Sequence, residues 1–319
     1  MQSLVVTPQG WDIVELHRPC NPNRIRIDIA VAGLCRTDIQ AMRGEYSLPV
    51  GTVLGHEAAG TVRFIPEHLK AQAGSKNIYV GARVAFYPFY PCGVCQSCCN
   101  NESMERCHNP TVVGMNEPGA FASYTDVPLD VLVAAPEHLS WKHLAYAEPV
   151  AASMAVAQMP QLQQGRVAVV GQGRIAALTA LVLNSVRTTP VEMVLPNTPF
   201  EGVFDAVVET WPSEQTLEYA ARALKVDGLL VVKSRPAAPV LWPHKLIALK
   251  RLHVIGAPYG SFAQGIEWMA SNKLNVDHML GEVYPFTHTG VQQALDQEAQ
   301  GGETHGKLFF AIDATHIIC

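Results

Sequence analysis

Residues 166–176 read Arg-Val-Ala-Val-Val-Gly-Gln-Gly-Arg-Ile-Ala. The run Arg166 to Val170 is apolar after its first residue, short and β-branched, which predicts a buried strand. Gly171 and Gly173 interrupt it, and a helical stretch follows to about Asn184. Strand, glycine turn and helix in this order open a βαβ unit. Glycine there lets the backbone approach a pyrophosphate, and the helix N-terminus offers unpaired N–H groups. Taken alone, Gly171-x-Gly173-x-x-Ala176 fits tight strand–helix packing equally well, so its neighbours decide.

Downstream, strands are expected at Val191 to Leu195, Phe204 to Glu209, Leu229 to Val232 and His253 to Ile255, with a helix over Glu214 to Leu224. Strands alternating with helices predict a parallel, doubly wound sheet. Upstream the character differs. Before Glu148 the chain reads as short strands punctuated by Gly and Pro: Arg24 to Val31 (a half-buried strand by its charged–apolar alternation), Val62 to Ile65 and Arg83 to Phe86. Ala151 to Gln158 is a short helix closed by Pro160. From about Phe262 a helix, a turn at Pro285, a helix from Gly290 and a last strand, Lys307 to Ile312, are expected. The 319 residues suit about two domains.

Two clusters carry chemistry. Cys35-Arg-Thr37-Asp38 is followed twenty-one positions later by His56-Glu57. A thiolate and an imidazole suit Zn²⁺, and a catalytic zinc keeps three protein ligands and an open position. Either residue alone reads as core; together, with Thr37, Asp38 and Glu57 at hand, they read as a metal site. Cys92-x-x-Cys95-x-x-Cys98, with Cys107 beyond, offers four thiolates in one loop, a closed structural zinc site that stabilises a lobe with little core.

Composition narrows the function class. Lys and Arg number 23 against 28 Asp and Glu, and 16% of residues are charged, which argues against binding nucleic acid through its phosphates. The longest apolar run, Ile175 to Leu183, falls short of the ~20 residues that span a bilayer. No N-terminal signal is apparent, so a cytoplasmic protein without membrane partners is expected. Hydrophobic residues make up 48%, enough for two cores.

The segments GLCRTD, GHEAAG, CGVCQSC, AEPVAA, VAVVGQGRIA and HGKLFF occur in the order seen in zinc-dependent medium-chain dehydrogenases/reductases, the alcohol and polyol dehydrogenases, which the chain resembles over nearly its whole length. The resemblance implies an α/β fold: a GroES-like β-rich catalytic domain at 1–148, a shortened Rossmann-type nucleotide-binding domain with a doubly wound parallel sheet at 149–261, and a return to the catalytic domain at 262–319. It also implies two zinc ions per chain and NAD or NADP. Cys35 and His56 match catalytic zinc ligands, and Glu148 matches the acid of polyol-type members, with Glu57 the other candidate for third ligand. Cys92, Cys95, Cys98 and Cys107 match the structural set. Thr37 matches a proton-relaying hydroxyl. Gly171, Gly173, Arg174, Ile175 and Asn197 are the candidate coenzyme contacts.

Three departures stand out. Cys98 and Cys99 are adjacent and Cys107 lies nine positions after Cys98, so either could be the third structural ligand, Cys98 keeping the doubled spacing. Gln40 stands where many members have a histidine that finishes the proton relay. After Leu195 no acid follows to bind ribose, and Phe204 to Glu209 begins within a few residues, as if an outer part of the sheet had been deleted. The expected activity is hydride transfer between NAD(P) and a secondary alcohol or ketone on a polar substrate such as a polyol, sugar or cyclitol, with a homodimer or homotetramer as assembly. The alternative is a zinc-stabilised scaffold that has lost dinucleotide binding.

Overall fold

The computed structural model describes residues 1–100, 102, 106–236, 238–257, 259–301 and 306–313. The chain divides into two compact units, Met1–Glu148 with Phe262–Cys319, and Pro149–Ser261.

The first unit is built on a seven-stranded sheet. Its path runs Leu280–Pro285, Lys307–Ala311, Ile25–Gly33, Glu57–Phe64, Arg83–Phe86 and Leu132–Ala134, and Tyr124–Val127 also pairs with Ile25–Gly33. The central strand, Ile25–Gly33, is buried at every position except Asp28, rather than half-buried. Its alternating charges misled because Arg26 is buried with a partner. Its Nε donates to Asp126 Oδ1 at 2.8 Å, Nη2 donates to the Pro19 carbonyl at 2.9 Å, and the guanidinium lies 3.9 Å from the Tyr124 ring centroid. A buried charge is tolerated when paired in this way.

The pairing of Ile25–Gly33 with Glu57–Phe64 is antiparallel and ends at Gly33 opposite Glu57. On the other edge, Lys307–Ala311 pairs antiparallel with the same strand, Phe309 opposite Gly33, and Leu34 N–H donates to the Leu308 carbonyl at 2.9 Å. Three chain segments therefore converge just past Gly33.

The second unit is a five-stranded sheet, every pair parallel, in the order Glu192–Val194, Val167–Val170, Phe204–Glu209, Leu224–Val232, His253–Gly256. The strand order of a full six-stranded doubly wound sheet is 3-2-1-4-5-6; this sheet corresponds to 2-1-4-5-6, one outer strand fewer. Ala168, Val170, Phe204, Val207, Ala220 and Leu230 belong to one core cluster of this unit. The helices Arg174–Asn184 and Glu214–Ala223 follow the first and third of these strands in the chain.

Several elements lay outside the sequence expectations. A hairpin of Gln2–Thr7 and Gly10–Glu15 opens the chain, His244–Lys250 is helical, and Leu280–Pro285 is a strand. The helix expected at Ala151 spans Ala147–Ala157, and Pro160 starts a further short helix, Pro160–Gln163, where proline's missing N–H has no cost. Among the described residues no helix is long and apolar enough to cross a membrane.

The Arg26–Asp126 pair can be tested directly. Asp126→Ala leaves a buried guanidinium without its counter-charge and should lower unfolding free energy by about 3–5 kcal/mol. Urea denaturation measures this, and the Arg26→Met/Asp126→Leu double variant should recover most of the loss.

Candidate functional site

Cys35 is the N-terminal cap of the helix Arg36–Met42. Its own N–H donates to Asp38 Oδ2 at 3.0 Å, closing the first turn back on the cap. The second oxygen, Asp38 Oδ1, accepts the Gly55 N–H at 3.2 Å and lies 3.5 Å from His56 Nδ1. One buried carboxylate thus ties together the two segments that carry Cys35 and His56. Gly55 has φ +94°, and a Cβ there would stand 2.6 Å from the Phe121 nitrogen, so only glycine lets the chain turn into His56 at this point.

Donor atoms of Cys35, His56 and Glu57 all lie within 4.8 Å of one another. His56 and Glu57 are buried and Cys35 is half-buried. Thr37 Oγ1 is 3.9 Å from Cys35 Sγ. Burial alone would push the His56 imidazole down, but the negative charges of Asp38 and Cys35 reverse this and hold it well above its ordinary value. The surroundings attract positive charge. A thiol, an imidazole and a carboxylate gathered in such a field fit a zinc ion. Glu148 is buried in the first turn of Ala147–Ala157 and is not part of this group of three.

Thiols of Cys92, Cys95, Cys98 and Cys107 form the second group, again within 4.8 Å of one another. Zinc–sulfur bonds of ~2.3 Å in a tetrahedron place sulfurs about 3.8 Å apart, against about 2.05 Å in a disulfide. Cys95 and Cys98 Sγ are 3.4 Å apart and Cys92 and Cys98 Sγ 3.9 Å, so the spacing fits a metal and not a disulfide. Backbone N–H groups of His108 and Cys98 bring the Cys95 thiol down to about 6, whereas burial and the neighbouring thiols push Cys98 up to about 12. Cys99 is exposed, points its sulfur at the Val94 carbonyl, and is outside the group.

The second unit presents a cleft of about 300 Å³ at the carboxyl ends of its first strands, lined by Gly171, Leu195, Asn197, Trp211, Gln215 and Thr216 among others, all uncharged. Gly171 and Gly173 both have positive φ, and Gly173 caps the helix beginning at Arg174. That geometry leaves helix N–H groups open beside the cleft and fits a dinucleotide phosphate. Of the candidate contacts, Gly171 and Asn197 line the cleft, Arg174 and Ile175 open the helix, and Ile175 is partly exposed.

Lys307 also belongs to this neighbourhood, although no sequence motif pointed to it. Its Nζ lies 2.5 Å from Glu57 Oε2, and both side chains are buried. The available signal was a lysine heading the otherwise apolar strand Lys307–Ala311, which at a buried position demands a counter-charge.

Residues 21–137 match the family described as the alcohol dehydrogenase GroES-like domain. The chain is similar to an uncharacterized zinc-type alcohol dehydrogenase-like protein of Haemophilus influenzae, 24% identical over 301 residues, which cover 83% of this chain and 85% of the relative. It is also similar to L-idonate 5-dehydrogenase (NAD(P)(+)) of Escherichia coli strain K12, 24% identical over 305 residues, covering 84% and 86%. In three dimensions it is similar to galactitol-1-phosphate dehydrogenase from Escherichia coli, with a TM-score of 0.82, 18% identity, and coverage of 98% of this chain and 100% of that one. At that identity the likeness speaks to the fold.

The four-thiol group yields a paired expectation. Cys98→Ser should lose one zinc equivalent per chain by elemental analysis and lower the thermal midpoint, because metal held by a closed site contributes folding energy. Cys99→Ser should keep both the zinc and the midpoint.

Proposed function

We infer that this chain, which belongs to the zinc-dependent medium-chain alcohol and polyol dehydrogenases, transfers a hydride between NAD(P) and a secondary alcohol or ketone on a polar substrate of polyol or sugar type. The observation that carries this reading is the convergence of Cys35, His56 and Glu57 donor atoms in one half-buried group, in a chain that also keeps a glycine-capped helix beside an uncharged cleft. The polar substrate class rests on the relatives, named for idonate and galactitol 1-phosphate.

The division of labour we propose follows the two units. Met1–Glu148 with Phe262–Cys319 is the catalytic domain and Pro149–Ser261 the nucleotide-binding domain. Cys35 and His56, with Glu57 or Glu148 as third ligand, would hold the catalytic zinc; Cys92, Cys95, Cys98 and Cys107 would hold the structural one. When bound, zinc supplies a Lewis acid that makes a hydroxyl easier to deprotonate, and the nicotinamide supplies the hydride acceptor.

The chain's own residues do the rest. Asp38 orients the His56 ring by facing Nδ1, as carboxylates commonly do behind ligating histidines. Thr37 Oγ1, beside Cys35 Sγ, is placed to accept a proton from the substrate hydroxyl and release its own outward. Gln40 cannot titrate, so the proton leaves from Thr37 to solvent rather than through a side-chain base. In the second unit, N–H groups at the start of Arg174–Asn184 would bind the coenzyme's phosphates, and Asn197 its adenosine side.

Partial deletion of the sheet raises the alternative of a metal-stabilised scaffold, and the retained cleft supports the enzyme instead. For assembly we propose a dimer through His253–Gly256, the last strand of its sheet and exposed along its whole length; light scattering at twice the chain mass would support it.

One experiment tests the activity reading in two arms. Polarisation by a metal is worth several kcal/mol, so Cys35→Ser or His56→Ala should lower kcat by on the order of 10³-fold or more. Calorimetric titration with NADH and NADPH should show binding unchanged in both variants. Undiminished turnover would reject the metal mechanism, and no binding of either dinucleotide at millimolar concentration would favour the scaffold.

A further inference from the structure

We propose that Lys307 is a positioning residue that grips one oxygen of Glu57, so that this carboxylate can offer a metal only its other oxygen and one coordination position stays open for substrate. The inference rests on the metal reading of Cys35, His56 and Glu57 and adds to it a control on how the carboxylate binds.

The geometry is specific. Lys307 Nζ stands 2.5 Å from Glu57 Oε2, with side-chain exposures of 6% and 2%. An ion pair this buried is difficult to break, since separating it leaves an uncompensated charge away from water. Glu57 also contributes a donor atom to the group with Cys35 and His56. The carboxylate therefore faces two cations' worth of demand, and the lysine occupies one of its two oxygens. A free carboxylate can chelate through both, which would raise a four-coordinate zinc site to five and consume the position a substrate oxygen needs.

The backbone enforces the arrangement from beneath. A Cβ at Gly33 would lie 2.7 Å from Glu57 Oε2 and 3.0 Å from Lys307 Cε, so the pair is seated directly over a residue with no side chain. The sheet register sets all three in place, with Gly33 opposite Glu57 on one edge and opposite Phe309, two residues past Lys307, on the other. The last strand of the first unit thus delivers a cation to a site otherwise built from the first 60 residues.

Cobalt(II) replacing zinc in the otherwise intact protein reads coordination number through its visible absorption, which weakens as four-coordination gives way to five. Three variants make the test. Lys307→Met removes the grip with little change in volume and should lower the visible absorptivity at least about twofold. Lys307→Arg keeps the cation and should retain the wild-type spectrum. Gly33→Ala retains both charges but pushes their side-chain ends aside; its close neighbours there are side-chain atoms, so the fold should survive, and its spectrum should move with that of Lys307→Met. If Lys307→Met fails to fold, Gly33→Ala alone decides. A wild-type spectrum in Lys307→Met, or in Gly33→Ala, would overturn the proposal. Wild-type protein taking up cobalt only in its four-cysteine lobe would instead reject the metal reading on which the proposal stands.

Discussion

The antiparallel register between Ile25–Gly33 and Glu57–Phe64 is the constraint on which the rest depends. Because it closes with Gly33 opposite Glu57, the residues that leave one strand and enter the other, Cys35 and His56, meet at the same end of the sheet. Side chains alternate along a strand, so a slip by one residue would turn Glu57 to the opposite face and carry His56 away from Asp38. The slip is resisted on both sides. Asp38 binds the backbone of Cys35 and of Gly55 with its two oxygens, and Lys307–Ala311 pins the other edge of the central strand. A fold feature usually discussed as architecture here sets how close the candidate ligands come.

Legibility in the sequence followed this same division between local and long-range information. Cys35 with Thr37 and Asp38, and Gly55 before His56 and Glu57, are local patterns whose residue types announce their chemistry; the spacing of the cysteine loop does likewise, and Cys98 rather than Cys99 is the member that the structure gathers. The parallel sheet was readable because Val167–Val170 and Phe204–Glu209 are short, β-branched and bounded by turn residues. What escaped depended on distant partners. Arg26 looked solvent-facing until Asp126, a hundred residues on, supplied its counter-charge. Lys307 sat in a quoted segment without a role, since nothing near it in the chain names Glu57. The Gln2–Thr7 and Gly10–Glu15 hairpin carries only weak alternation, and its stability comes from backbone bonds to Phe121 and Thr52 that no local pattern reveals.

The second unit shows what a doubly wound sheet can lose. Binding at such a sheet uses the carboxyl ends of the strands near the point where their order reverses. That point lies between Val167–Val170 and Phe204–Glu209, both buried and both kept. The missing strand belongs to the far edge, beyond Glu192–Val194, where its removal leaves the glycine turn and the helix N-terminus untouched. On the proposed coenzyme placement, the cost falls on the adenosine side of the cleft, lined by Leu195, Asn197 and Trp211, with no carboxylate or arginine among the described lining residues. Phosphate recognition by backbone N–H groups does not depend on those side chains, so in the proposed site deletion at the edge would alter discrimination between dinucleotides before binding as such.

Charge balance links the two halves of the candidate metal group. Buried ionic groups persist when their charges are compensated locally. Asp38 and Glu57 bring carboxylates into a region nearly inaccessible to water, and Cys35 would add a thiolate as a metal ligand. Lys307 offsets one of them, and the negative surroundings hold the His56 imidazole above its ordinary value despite its burial. A divalent cation is the ligand that would bring this set to neutrality. On this view Lys307 belongs to the electrostatics of the metal group as much as to the last strand. A chain that kept the cysteine and the histidine but exchanged this lysine for an apolar residue would carry an unbalanced carboxylate inside its first unit.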